Sequence, residues 1–207
     1  MSLEKIFSVL ERGGIALIRL DVAYALICMD QKAVQKIQRM KQRSSDKQCV
    51  VLGTPKIFEE ITGKKIQSTI SLPVGLVAKI NEKSKYIRQI PKEMIVDGKI
   101  AVFINMGALG DAIADRAFKH RKLVFGSSAN ITKAGNHYQL QDVENEIREQ
   151  VDIEIDEGKT KYQEFANEKG LGAVILDIES GKVLRKGLLF DKVIEQAGKN
   201  GFVFTPK

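Results

Sequence analysis

Short apolar runs of strand length alternate along this chain with stretches whose apolar residues recur every three or four positions, and that interleaving confines the fold to the α/β class. Leu3, Ile6, Phe7 and Leu10 recur at helical spacing before Gly13-Gly14 supplies a stop. IALIRL at 15–20 and the apolar stretch 24–29 follow as strands. Asp30 is a good N-cap for a helix through Gln42 whose apolar face is Val34, Ile37 and Met40. After a short strand at 49–52, Thr54-Pro55 opens a helix that Gly63 closes. Strands are expected at 72–80 and 100–104, a helix at 110–121, and a strand at 122–125 leading into the polar loop GSSANITKAGN. A charge-rich helix at 140–150, a strand at 151–156, a hairpin pairing 173–178 with 183–185 and a helix at 189–197 complete the order. Several strands are joined too closely for a crossover, so the sheet is expected to be mixed and twisted, with flanking helices.

The 207 residues show no internal repeat and no linker, which predicts one domain over 1–207. No apolar run approaches the roughly 20 residues that span a bilayer, and Glu4 and Glu11 break any signal-peptide core. A cytoplasmic protein without a membrane partner is the expectation. Cys28 and Cys49 sit inside apolar stretches and read as small buried hydrophobes. With only His120 and His137 beside them, no zinc ligand set can be assembled, so no metal site is expected. Asp152, Glu154 and Asp156 alternate on one strand face and read as a solvated edge.

The net charge of +7 would attract phosphates, although solubility alone accounts for a charge of that size. Its densest part is KAVQKIQRMKQRSSDK at 32–47, with six basic residues and one acid. Lys41, Arg43 and Lys47 crowd the C-terminal end of the expected helix. Cations there are stabilised by the helix dipole and need no ligand; the same groups also suit a phosphate clamp, arginine as a fork and lysine as a compact charge. A second anion candidate is Gly126-Ser127-Ser128-Ala129-Asn130, directly after a strand, where hydroxyls and amides can hold phosphate oxygens; the same residues are ordinary turn formers. No pair of carboxylates stands out for acid–base work, and no catalytic residue is singled out.

Taken in order, GGIALIRLDVAYAL, KQRSSDK, GSSAN, GAVILD and VLRKG resemble the YrdC-type threonylcarbamoyl-AMP synthase family over about residues 10–187, leaving a C-terminal helix and tail at 188–207. The resemblance implies a YrdC-like twisted sheet around a basic cavity. It implies nucleotidyl transfer from ATP, carried in with Mg²⁺, to L-threonine and bicarbonate, for a modified adenosine in tRNA. It also implies a nucleotide partner and RNA, and the alternative of a non-catalytic domain that binds double-stranded RNA. Residue by residue, the family's Lys-x-Arg falls on Lys41 and Arg43, with a further basic position at Lys47, its Ser-x-Asn on Ser128 and Asn130, and its late arginine on Arg185. Fixed cations and donors would stabilise the charge that builds at the α-phosphate.

The departures cluster on the threonine side. Where the family carries Pro-Thr-Asp-Thr-x-Tyr-Gly-Leu, this chain has Arg19, Leu20, Asp21, Val22, Ala23, Tyr24, Ala25 and Leu26. The Pro-Gly-Pro-x-Thr element becomes Leu72, Pro73, Val74 and Gly75; the arginine of Val-Arg-x-Pro aligns with Phe103; the Ser-Thr before the late strand becomes Ala173-Val174. Anion contacts are retained while threonine contacts are dismantled, which predicts weak or altered synthase activity. Arg19 is the one new group that could meet a carboxylate, or else an exposed strand residue.

Overall fold

A computed structural model describes residues 3–41, 48–66, 70–131, 134–165 and 170–204. The strands are β1 (Ala16–Arg19), β2 (Tyr24–Cys28), β3 (Val50–Leu52), β4 (Val74–Lys79), β5 (Lys99–Ile104), β6 (Val124–Ser128), β7 (Ile153–Glu154), β8 (Val174–Asp177) and β9 (Lys182–Arg185). The helices are α1 (Leu3–Glu11), α2 (Gln31–Met40), α3 (Pro55–Thr62), α4 (Ala108–Lys119), α5 (Asn145–Arg148) and α6 (Phe190–Lys199). All nine strands form one sheet in the order β7-β1-β2-β6-β3-β5-β4-β8-β9. The pairs β1/β7, β3/β5 and β4/β8 are parallel and the others antiparallel, the mixed sheet expected of such short connections.

Local chemistry sets the helix ends. The Asp30 carboxylate accepts the Ala33 amide at 2.9 Å and starts α2, whose buried face is Ala33, Val34, Ile37 and Met40. Burying a side chain such as Ile37 is worth roughly 1.5–3 kcal/mol. Gly63 ends α3 at φ 72°, a left-handed conformation that glycine adopts without steric cost. Proline opens α3 as expected, but the Thr54 hydroxyl turns instead to Asp115, 3.2 Å away.

The two faces of the sheet differ. In β5, Ile100, Val102 and Ile104 are buried while Lys99, Ala101 and Phe103 are only partly so. Val102 faces α3: its Cγ1 and the Ile57 side chain crowd the same side of Gly53. Phe103 faces the opposite way, into a cavity.

Two expected elements differ. The strand expected at 122–125 runs on through Gly126-Ser127-Ser128, because all three pair with β2 and Gly126 also pairs with β3. The polar loop therefore begins later than its turn-forming composition suggests. The helix expected over 140–150 is a 3₁₀ turn at Leu140–Asp142 and the single turn of α5. Leu140, Val143 and Ile147 are buried as their spacing predicts, but Val143 and Glu144 have extended ψ angles of 130° and 137°. The cause is Glu144, whose carboxylate accepts the Ile131 amide at 3.2 Å and so is drawn away from a helical path.

Candidate functional site

One face of the sheet floors a cavity of about 640 Å³. Strand register explains its composition. Leu52, Phe103, Gly75, Ile175 and Arg185 are successive cross-strand partners on β3, β5, β4, β8 and β9, so they stand in one row on the same face. Parallel to it, Ala25 faces Ser128, and Ile27 faces Gly126, which faces Val50. Leu20, Val22 and Met106 add apolar wall.

The polar groups lie on the rims. Lys41, the residue that ends α2, is fully buried. Its ammonium donates to the Asn130 carbonyl at 2.6 Å, to Asn130 Oδ1 at 3.0 Å and, very closely, to the Ser128 carbonyl. The Ser128 hydroxyl donates to Asn130 Oδ1, and Asn130 Nδ2 donates to the Ile131 carbonyl at 2.9 Å. A buried ammonium satisfied by three oxygens is the arrangement such a charge requires. Lys41 thus pins the Ser128–Asn130 turn and gives that rim a fixed positive charge.

The opposite rim is built on bare backbone. Arg185 Nε donates to the Ala173 carbonyl at 2.9 Å. A Cβ on Gly172 would stand 2.6 Å from Asn136 Nδ2 and 3.0 Å from Arg185 Nη2, so glycine there lets amide and guanidinium converge. Asn136 is held by its amide on the Gly170 carbonyl at 3.2 Å, and Tyr138 donates to the Leu171 carbonyl at 2.8 Å. Outside the cavity lining, His137 Nε2 lies 3.1 Å from Glu144 Oε2. Burial pushes the Glu144 carboxyl up, but its own amide, that of Ile131 and His137 outweigh it and hold the group below the usual range.

Lys41, Arg185 and Lys186 line the cavity, and no aspartate or glutamate does so among the described residues. The structure therefore brings Lys41, Ser128, Asn130 and Arg185 to one cavity, while Arg43 and Lys47 lie outside the described residues. Asn136, Gly172 and Lys186 were not expected; the Gly-Asn pair at 135–136 gives a turn signal only, and its meeting with Arg185 depends on long-range pairing. Of the departures on the threonine side, Leu20, Val22, Phe103 and Ala173 line the cavity, whereas Leu72, Pro73, Val74 and Val174 are not part of its lining. Arg19 is not part of it either. Its guanidinium donates to the Lys159 carbonyl at 2.9 Å and lies 3.4 Å from Glu157.

The acidic strand face at 152–156 is engaged residue by residue. Asp152 accepts the Ile15 amide at 2.8 Å, Glu154 pairs with Arg148 at 2.9 Å, and Asp156 accepts the Tyr24 hydroxyl at 3.0 Å. Burial first, and Asp156 second, push the Tyr24 hydroxyl up to about 12. Among the described residues no cluster of His, Cys, Asp and Glu is placed to hold a metal ion, and no helix is long and apolar enough to cross a membrane. Cys28 and Cys49 are buried free thiols.

A mixed sheet whose one face floors a cavity lined by Lys41, Arg185 and Lys186, with no acid in its lining among the described residues, defines an α/β protein built around a basic cavity. Residues 8–187 match the Sua5/YciO/YrdC family model, described as Telomere recombination, and the chain belongs to that family. No curated protein matches the sequence. Among solved structures, a hypothetical protein from Streptococcus mutans UA159 superposes with a TM-score of 0.80 at 18% identity, over 99% of this chain and 93% of that one. Sua5 of P. abyssi, complexed with L-threonine, gives 0.75 at 17% identity over 98% of this chain and 58% of its own. Full-length HypF in a phosphate- and nucleotide-bound form gives 0.63 at 11% identity over 85% of this chain and 27% of its own. At these identities the likeness is one of fold, and the fold is YrdC-like.

Proposed function

We propose that the cavity binds an adenine nucleotide by its phosphates and that the chain does not handle threonine as an intact threonylcarbamoyl-AMP synthase would. The observation that carries the first half is the lining: Lys41, Arg185 and Lys186 with no opposing carboxylate among the described residues, in a space of about 640 Å³. Pockets of roughly 300–1,000 Å³ enclose ligands of nucleotide size. Phosphate oxygens would meet the Lys41-pinned turn on one rim and the Arg185–Asn136 pair on the other. Arg43 and Lys47 would extend the clamp from the segment that follows α2. Mg²⁺ would enter with ATP, held mainly by the nucleotide's own oxygens.

The second half rests on Phe103, Leu20 and Val22 at cavity positions where the family resemblance calls for an arginine and two threonines. Losing a charged hydrogen bond to a carboxylate costs about 1.5–3 kcal/mol, and misplacing a reacting group by about 1 Å can cost a hundredfold in rate. Nucleotidyl transfer by this chain therefore needs a partner other than threonine. Titration of AMP into the protein tests the reading: Lys41→Ala combined with Arg43→Ala should weaken binding at least tenfold, about 1.4 kcal/mol. An unchanged affinity would show that these cations only cap and pin α2.

A further inference from the structure

The floor of the cavity has a chemistry that phosphate binding does not use. Leu52, Phe103, Gly75 and Ile175 stand side by side on four adjacent strands and end at Arg185 on a fifth. Strands lie about 4.8 Å apart, so roughly 14 Å of backbone separates Phe103 from Arg185. Over that distance the floor offers no side-chain donor, acceptor or charge. The ring of Phe103 occupies the space over Gly75, with its Cε1 2.4 Å from where a Cβ there would stand, so the ring covers the backbone at the middle of the floor.

Resting on the nucleotide reading above, we infer that this floor is an acyl subsite: it takes an uncharged aliphatic group carried on the phosphate of the bound nucleotide. Burial energetics discriminate between the candidates. A nucleobase laid on the floor would leave its amino group and ring nitrogens without partners, and a charged group over Phe103 and Gly75, away from Arg185, would be desolvated with no opposite charge beside it. An aliphatic chain carries no such penalty, and each buried methylene is worth roughly a threefold to fourfold gain in affinity. The rims supply the complement, with Lys41 and the Ser128–Asn130 turn on one side and Arg185 on the other for the anion that bears the chain.

The test uses the full-length protein and a series of N-acylsulfamoyl adenosines, in which the acylated sulfamate stands in for an acyl phosphate. Dissociation constants are measured for AMP and for the acetyl, butanoyl, hexanoyl and threonylcarbamoyl members, the last joined through the threonine nitrogen so that its carboxylate stays free. Affinity should rise along the aliphatic series, with the hexanoyl compound at least tenfold tighter than the threonylcarbamoyl one. Phe103→Arg, which offers that carboxylate a cation, should reverse that order; because the unaltered protein already gives the ranking, the result does not depend on how well the variant folds. If AMP binds and the aliphatic chain adds nothing, or the threonylcarbamoyl compound is preferred, the subsite is overturned while nucleotide binding stands. If neither AMP nor any analogue binds, both fall.

Discussion

The ring of Phe103 fills the space that a side chain at Gly75 would occupy: three ring carbons lie within 2.8 Å of the position a Cβ would take. The two residues are cross-strand partners on β5 and β4, so the contact is written into the register. It makes the middle of the cavity floor aromatic and apolar. Gly75→Ala should therefore displace the ring and destabilise the protein by about 1–3 kcal/mol, the range for overpacking. Urea denaturation of Gly75→Ala, Phe103→Ala and the double variant checks this. The double variant should be less destabilised than the sum of the singles, with a coupling of about 1 kcal/mol; strict additivity would mean that the ring yields freely.

Lys41 is the second fixed point. Its ammonium meets three oxygens of Ser128 and Asn130 with no exposure to solvent. Lys41→Met should leave those acceptors without a donor, cost about 3 kcal/mol in urea denaturation and abolish AMP binding. Ile37→Val, on the buried face of the same helix, supplies the comparison: a loss of about 1 kcal/mol with AMP affinity unchanged. Equal effects of the two on the ligand would remove the link between the pinned turn and the anion.

Much of this arrangement is legible in the amino-acid sequence, and what is not legible there has definite causes. Asp30 and Gly63 mark helix ends because side-chain capping and left-handed φ are local properties. The strands are legible because their apolar runs are short and bounded. Ser127 and Ser128 are not legible as strand, since small polar residues signal turns unless neighbouring strands claim them. The helical spacing of Leu140, Val143 and Ile147 misleads because a tertiary bond from Glu144 to Ile131 overrides propensity. The place of Lys41 at the cavity is legible through family resemblance, but its full burial is not, because a lysine in a basic stretch reads as solvated. The row from Leu52 to Arg185 joins five strands far apart in sequence and exists only once their register is known.

Asp111, in the first turn of α4, gives a pH signature. Burial raises its carboxyl to about 6, although the Met106 amide donates to it at 3.2 Å. A folded value above the ordinary one of about 3.9 means that the folded state binds the proton more tightly. The stabilising effect of protonation is complete below about pH 4 and is lost as the pH rises through 6. Asp111→Asn keeps an acceptor for Met106 and should raise the urea midpoint at pH 7.5, with the gain vanishing near pH 4. A gain independent of pH would assign the effect to something other than the buried charge.

Lys32 and Arg39 lie exposed on α2, whereas Lys41 points inward. The outward charges suffice for phosphate contacts without base readout, so binding of double-stranded RNA should be weak, indifferent to sequence and at least tenfold weaker at 200 mM than at 50 mM salt. Electrophoretic mobility shifts at the two salt concentrations decide it; affinity that survives the change would demand a different interface.

One calorimetric titration tests both parts of the proposed site, nucleotide binding and the loss of threonine chemistry. ATP with Mg²⁺ is titrated into the protein in bicarbonate buffer, with and without saturating L-threonine, and pyrophosphate is followed in the same samples. Saturable ATP binding that threonine leaves unchanged is expected, with no threonine-dependent pyrophosphate release. Tightening of ATP binding by threonine together with robust pyrophosphate release would contradict it, as would the absence of any ATP binding.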